Sequence, residues 1–233
     1  MNKISVLSDC GLNRIVFLLL ALSWWASVTH AAPLPAQVAK ETAVLSPYQA
    51  QIQARLNANR SLIKTISQQL KNHELPTLLV LLPMLESSFD PKAISHANAA
   101  GLWQLIPATA QRFGLEVSQQ NDQRFDLEAS TDAAIQYLRF LHNKFDDLAL
   151  TIAAYNAGEG RVARAIKRAQ SREFSKLTLP AETVQYVSRF YALIELIEVQ
   201  ELTKDERQTL FLFGDNPHQP LIDLSPLPPL ITL

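Results

Sequence analysis

Apolar residues in this chain recur at spacings near three and four in one segment after another, and nowhere do they alternate with comparable strength. That pattern restricts the chain to helices. Tyr48, Ile52, Leu56, Ile63, Ile66 and Leu70 lie along one face of residues 47–71, and Gln, Asn, Lys and Arg fill the other face. Ser46-Pro47 supplies a cap and a first-turn proline, so one long helix is expected there. Residues 130–145 predict a second helix, with Ser130 as cap and Ala134, Leu138, Leu141 and Phe145 on one stripe. A short, almost entirely apolar helix over 148–157 should stop at Gly158, and Glu159 to Gln170 follows as a basic amphipathic helix. Pro180 opens a last helix, with Val184, Val187, Tyr191, Ile194 and Ile197 on one side. The expected fold class is all-α.

Between these helices, Leu78-Leu79-Val80-Leu81-Leu82 is apolar all round, which marks a buried segment. Its length allows a strand. The helical neighbours favour a helix bent at Pro83, because proline removes one backbone hydrogen bond. Glu86 then emerges at the C-terminal end of a buried rod.

With 233 residues, 48% hydrophobic and 18% charged, the chain has ordinary globular composition and enough length for one domain of moderate size. At the N-terminus, Lys3 and Arg14 precede an uncharged stretch from Ile15 to Ser27, followed by Thr29-His30-Ala31-Ala32. This reads as a secretory signal cut after Ala31; the stretch is shorter than the ~20 residues a spanning helix needs. The alternative is a signal retained as an anchor. Cys10, the one cysteine, lies before the apolar stretch, the wrong place for lipid attachment at a cleavage site.

Removing residues 1–31 takes Lys3, Arg14 and Asp9 from 21 basic and 22 acidic residues, leaving 19 and 21, a net charge of −2. That balance gives no bias toward nucleic acid or anionic lipid. It also leaves no cysteine, so neither a disulfide framework nor a cysteine-type zinc site is available, and the core must supply the stability. Residues 32–43, with Pro33 and Pro35, read as a short linker. From Asp215 onward, Pro217, Pro220, Pro226, Pro228 and Pro229 forbid regular helix. The expected organisation is a signal over 1–31, a linker and long helix over 32–74, a helical domain over 75–200 and a Pro-rich tail over 201–233.

Three segments carry the chemistry. Glu86 follows Leu81, Leu82, Met84 and Leu85. A carboxyl group in apolar surroundings has its pKa raised and can stay protonated near neutral pH, as the acid that cleaves a glycosidic bond must. Read alone, it could equally be a solvent-facing glutamate at a helix end. Gly101-Leu102-Trp103-Gln104 offers a turn, an aromatic plate and an amide, the groups that approach, stack on and hydrogen-bond to sugars, although a core tryptophan would explain it as well. Ala153-Ala154-Tyr155-Asn156-Ala157-Gly158 places a phenol and an amide at the end of an apolar helix, where buried polar groups need partners. A structural cap is the competing account of Asn156. His96, His142 and His218 are scattered and lack metal-site spacing. No cofactor and no metal are expected.

Taken in order, Glu86-Ser87, Gly101-Leu102-Trp103-Gln104, Ala154-Tyr155-Asn156-Ala157-Gly158 and the tyrosine of Glu182-Thr183-Val184-Gln185-Tyr186-Val187 resemble the four motifs of lytic transglycosylases of the soluble-lytic-transglycosylase (SLT) type. The resemblance runs from about Leu75 to about Ile197. It implies a lysozyme-like helical domain acting on peptidoglycan glycan strands at the β-1,4 bond between N-acetylmuramic acid and N-acetylglucosamine. Glu86 would protonate the leaving oxygen and then, as carboxylate, take the proton of the sugar's own 6-hydroxyl, closing a 1,6-anhydro ring.

By the same resemblance, Ser87 and Gln104 would hydrogen-bond around the cleavage site. Tyr155 and Tyr186 would orient Glu86, with Tyr191 as the competitor of Tyr186, and Asn156 would hold substrate or backbone. Trp103 would be a packed wall rather than a ligand. Most glycosidases need two carboxylates, whereas this mechanism needs one, and Asp90 and Glu159 read as structural. The signal reads as export to the periplasm, and the expected partners are glycan strands and a cell-wall or secretion-machinery protein, with the protein itself a monomer. The alternatives are a goose-type-lysozyme-like muramidase and a non-catalytic peptidoglycan-binding protein. No lysin-motif repeats and no cysteine for lipid attachment accompany the motifs.

Overall fold

A computed structural model of the chain describes residues 32–199 and 202. The expected signal, Cys10, His218 and the Pro-rich tail lie outside the described residues. Nine α-helices run through the described part: α1 (Pro35–Leu45), α2 (Gln49–Ala58), α3 (Arg60–Asn72), α4 (Leu82–Ser87), α5 (Pro107–Arg112), α6 (Leu127–Phe145), α7 (Leu148–Ala157), α8 (Glu159–Ala169) and α9 (Ala181–Leu196). Short 3-10 turns fall at Ser46–Tyr48, Thr77–Leu81, Gln123–Phe125 and Phe174–Lys176. Among the described residues there is no strand, only three isolated bridges, Ile94–Ala100, Ala100–Leu105 and Val117–Asp122.

The first correction concerns residues 32–43. They are not a linker, because α1 begins at Pro35 and turns Val38, Glu41 and Leu45 inward. A proline in the first turn has no intrahelical N–H to lose, so it starts a helix as readily as it stops one. The long helix expected over 47–71 is in fact two, α2 and α3. They part at Asn59, whose φ of −105° and ψ of 16° leave the helical region and whose side-chain amide donates to the Arg55 carbonyl at 2.8 Å. The apolar stripe survives the break: Ile52, Leu56, Ile63, Ile66 and Leu70 are fully buried, and only Tyr48 turns outward.

Leu78 to Leu82 is neither strand nor bent helix. A 3-10 turn over Thr77–Leu81 delivers the chain into α4, where Pro83 occupies the first turn and produces no kink. Ser130 is not a cap either: α6 starts earlier, at Leu127, and its cap is Asp126, whose carboxylate accepts from the Ala129 N–H at 2.7 Å, while Ser130 is buried inside the helix. The stripe of Ala134, Leu138, Leu141 and Phe145 is buried as expected. Helix α7 is capped by Asp147, accepting from the Leu150 N–H at 2.8 Å, and is buried almost throughout. It ends at Gly158, at a φ of 85°.

Helix α9 packs against α1, α7 and α4 at once. Its inner face is therefore wider than the expected stripe and turned from it: Thr183, Tyr186, Val187, Phe190 and Leu193 are buried, whereas Val184, Tyr191 and Ile194 are half-buried. This packing brings the ends of α4 and α7 to the N-terminal half of α9, at Tyr186 and Thr183.

Candidate active site

Glu86 stands on the last turn of α4. The helix stops there because Ser88 and Phe89 take left-handed φ angles of 51° and 63° and return their N–H groups to the Pro83 carbonyl. Behind Glu86 are Leu82, Met84 and Leu85, all buried. The Tyr186 hydroxyl, coming from α9, donates to Glu86 Oε1. Loss of hydration raises the Glu86 carboxyl from 4.5 to about 7, against the opposing pull of that hydrogen bond. Near neutral pH both the acid and the carboxylate are therefore populated. Burial, followed by the Glu86 charge, holds the Tyr186 phenol well above its ordinary range, so it stays a donor.

Tyr186 rather than Tyr191 faces Glu86. Tyr191 sits edge-on to Phe190, with ring centroids 6.2 Å apart, and burial with the nearby Asp147 charge pushes its phenol up to about 12. Tyr155 lies at the end of α7, and its hydroxyl donates to the Trp103 carbonyl at 2.7 Å instead of to Glu86. The phenol is raised by burial and, next, by the Glu86 charge. The ring of Tyr155 packs on Tyr137 at 5.3 Å, and Tyr137 on Phe113 at 5.2 Å.

Of the other expected residues, Ser87 and Gln104 bond to backbone carbonyls, and Trp103 and Asn156 to side chains. Ser87 Oγ donates to the Leu102 carbonyl at 2.8 Å and is 3.3 Å from the Pro83 carbonyl, tying α4 to the Gly101 loop. Gln104 takes a left-handed φ of 45°, and its side-chain NH2 donates to the carbonyls of Gly101 (2.9 Å) and Ala93 (3.0 Å). That engages both amide protons and leaves Oε1 as the atom for a further partner. Trp103 is fully buried, with Nε1 donating to Thr131 Oγ1 at 3.0 Å. Asn156 Oδ1 accepts from Thr183 Oγ1 at 2.8 Å, joining α7 to α9.

Asp90 accepts the Lys92 N–H at 2.8 Å, and Glu159 pairs with Arg112 at 2.8 Å, which holds its carboxyl below the usual range. Asp90 is thus tied to a turn and Glu159 to α5, whereas Glu86 is the carboxyl that the Tyr186 hydroxyl meets. His96 is exposed, and His142 Nδ1 lies 3.3 Å from Thr151 Oγ1. Among the described residues no three His, Cys, Asp or Glu side chains come together as a metal site.

Two charged residues that the sequence reading passed over shape the site. Arg124 is 4% exposed; its Nη1 donates to the carbonyls of Asn98 (2.6 Å) and Leu105 (3.1 Å), and its Nε and Nη2 hold Asp122 at 2.9 and 2.7 Å. Its own carbonyl lies where a Cβ on Gly101 would come within 1.9 Å, so position 101, at a φ of 76°, requires glycine on two counts. Glu41 on α1 is 3% exposed and binds Arg189 and Gln185 of α9. Arg124 lies in no periodic pattern that singles it out. The one available signal, a charged residue on the buried stripe of an amphipathic helix, applied to Glu41 and was hidden by the linker reading.

Residues 64–178 match the family described as "Transglycosylase SLT domain". Membrane-bound lytic murein transglycosylase D of Escherichia coli (strain K12) is 46% identical over 156 residues, covering 62% of this chain and 34% of that protein. Membrane-bound lytic murein transglycosylase C of Sodalis glossinidius is 31% identical over 151 residues, 57% of this chain and 42% of that protein. The chain thus spans less than half the length of these relatives. Among solved structures, the 70 kDa soluble lytic transglycosylase from Escherichia coli superposes with a TM-score of 0.51 over 72% of this chain and 31% of that one, at 22% identity, a likeness of fold. The all-α, lysozyme-like class expected from the sequence is the class observed.

Proposed function

We propose that this chain, whose residues 64–178 match the family described as "Transglycosylase SLT domain", is a peptidoglycan lytic transglycosylase with Glu86 as its one acid and base. The observation that carries this reading is the desolvated Glu86 carboxyl, poised at about 7 under the Tyr186 hydroxyl. In its acid form Glu86 gives a proton to the glycosidic oxygen as the bond from that oxygen to C1 of N-acetylmuramic acid breaks, which frees the 4-hydroxyl of N-acetylglucosamine. The resulting carboxylate takes the proton of the 6-hydroxyl on the same muramic acid, and O6 bonds to C1. The proton balance on Glu86 closes within one turnover. An internal hydroxyl replaces water and avoids the entropy of capturing a second reactant.

In this reading Tyr186 steadies the carboxylate between the two steps. Gln104, through Oε1, and Ser87 line the cleavage site, while Tyr155 and Asn156 hold the wall of α7 against which the sugar rests. The catalytic unit is residues 75–200, with 32–74 braced against it. The protein is exported to the periplasm and acts as a monomer on glycan strands, with room for a cell-wall or secretion-machinery partner. No helix among the described residues is long and apolar enough to cross a membrane.

Mass spectrometry of muropeptides released from purified peptidoglycan tests this, with the Glu86→Gln protein run in parallel. Products one water lighter than hydrolysis products, absent with Glu86→Gln, are the expected result. Hydrated products would make the protein a muramidase like goose-type lysozyme, and no products from the wild type would leave a binding role.

A further inference from the structure

Tyr186 does not set its own position; the rotation of α9 about its axis sets it. That helix is gripped on two flanks around Tyr186. On one flank Thr183 donates to Asn156 of α7 at 2.8 Å. On the other, the buried Glu41 carboxylate of α1 divides its oxygens between two partners: Oε1 accepts from Gln185 Nε2 at 3.1 Å and Oε2 from Arg189 Nε at 2.6 Å. Gln185 and Arg189 are four apart and share a face, and Tyr186 lies one residue, about 100°, round from Gln185. Farther along the same seam, Thr42 donates to Glu195 at 2.8 Å and Gln49 to the Leu196 carbonyl at 3.0 Å.

We propose that Glu41 is a positioning residue: from α1, it fixes the rotation of α9 so that the Tyr186 hydroxyl meets Glu86. An apolar seam of Val38 and Leu45 alone would hold the two helices together but could slide, because dispersion contacts have no direction. A buried ion pair adds little net stability over apolar side chains of the same size, whereas its geometry selects one register. The Glu41–Arg189 pair, with side chains 4% and 14% exposed, has the burial that such selection needs. This role rests on the reading of Glu86 as the catalytic acid.

Carbon-13 NMR titration of the full chain labelled at glutamate carboxyls, with Glu86→Gln identifying the signal, provides a readout independent of substrate. The titratable groups set around Glu86 are Tyr186 on α9 and Tyr155 on α7. Tyr186→Phe removes the hydrogen bond that lowers Glu86, so its midpoint rises above that of the wild type. Glu41→Gln is expected to move the midpoint the same way, and the double variant no further than Tyr186→Phe alone. In parallel, kcat on peptidoglycan should fall about tenfold with KM little changed, since a 1 Å misplacement costs up to ~10²-fold. A Glu41→Gln protein with a lower Tm, an unmoved Glu86 midpoint and wild-type kcat would reduce Glu41 to a stabilising ion pair and overturn the proposal. Should that variant fail to fold, Arg189→Lys decides: it keeps the charge but gives up the directed Nε contact to Glu41 Oε2, and an unmoved midpoint there also overturns the proposal. Absence of product from the wild type would sink the enzymatic reading and leave the NMR result standing.

Discussion

The helical wall made by α4, α7 and α9 and the irregular loop from Ala93 to Leu105 meet beside Glu86, and they hold their polar groups by opposite means. In the wall, side chains bond to side chains across helices, Tyr186 to Glu86 and Thr183 to Asn156, and Glu41 of the neighbouring α1 does the same for Gln185 and Arg189. The backbone there is already satisfied by its own helices, so a lost side-chain contact changes the chemistry more than the fold. In the loop, the backbone bonds to itself only in short turns and isolated bridges, and side chains, Gln104 and Arg124 above all, bind its carbonyls as well. Asn98, Gly101 and Gln104 all take positive φ there. Substitution in the loop therefore breaks the fold first, and the chemistry as a consequence.

The strongest test of this contrast is Gly101→Ala. A Cβ at 1.9 Å from the Arg124 carbonyl, on a φ of 76°, should cost about 4 kcal/mol or more, read as the loss of unfolding free energy in urea. Unaltered unfolding would mean that the loop yields easily and that the contrast is false. Arg124→Met comes next: it strands the Asn98 carbonyl, unpairs Asp122 and leaves the Leu105 carbonyl with the Ala100 N–H alone, and should cost about 3 kcal/mol in the same measurement.

Glu86→Gln works in the other direction and depends on pH. The fold binds the Glu86 proton more tightly than the unfolded chain does, so the stability of the acid form is fully present below 4.5 and lost as pH rises through about 7. The glutamine variant should gain on the wild type across that window, by about 3 kcal/mol at most. A stability difference that stays flat with pH would show that the carboxyl is hydrated. The same titration predicts that turnover falls as pH rises through about 7, where the acid form is lost.

Tyr186→Phe sharpens the wall side of the contrast. It should lower the unfolding free energy by about 1.5 kcal/mol, keep partial activity and carry the alkaline fall in turnover to higher pH. Asn156→Ala should have the smallest effect, about 1 kcal/mol from the stranded Thr183 hydroxyl, seen as a small shift in Tm. A large loss from Asn156→Ala would mean that the wall, too, depends on single polar contacts.

Helical spacing, the Gly158 stop and the Pro180 start were legible in the sequence because each is a local property of a few neighbouring residues. The Glu86 motif and the choice of Tyr186 over Tyr191 came from matching ordered motifs, since the apolar periodicity of that helix put Tyr191 rather than Tyr186 on its stripe. The α1 helix, the break at Asn59, the Asp126 cap and the absence of a kink at Pro83 were misread for one physical reason. Proline, asparagine and serine serve at both starts and stops of helices, and their backbone angles decide which.

By itself the sequence determined which residues could be buried and helical, that the chain past Ala31 must stand without disulfides, and that one acid, Glu86, follows an apolar run. Only the tertiary structure decided what that acid meets. Tyr186 lies 100 residues away in sequence, Glu41 is 148 from Arg189, and Arg124 is 26 from the Asn98 carbonyl it holds. Hydrogen bonding and desolvation act over a few ångströms of space, and that proximity exists only after the helices have packed.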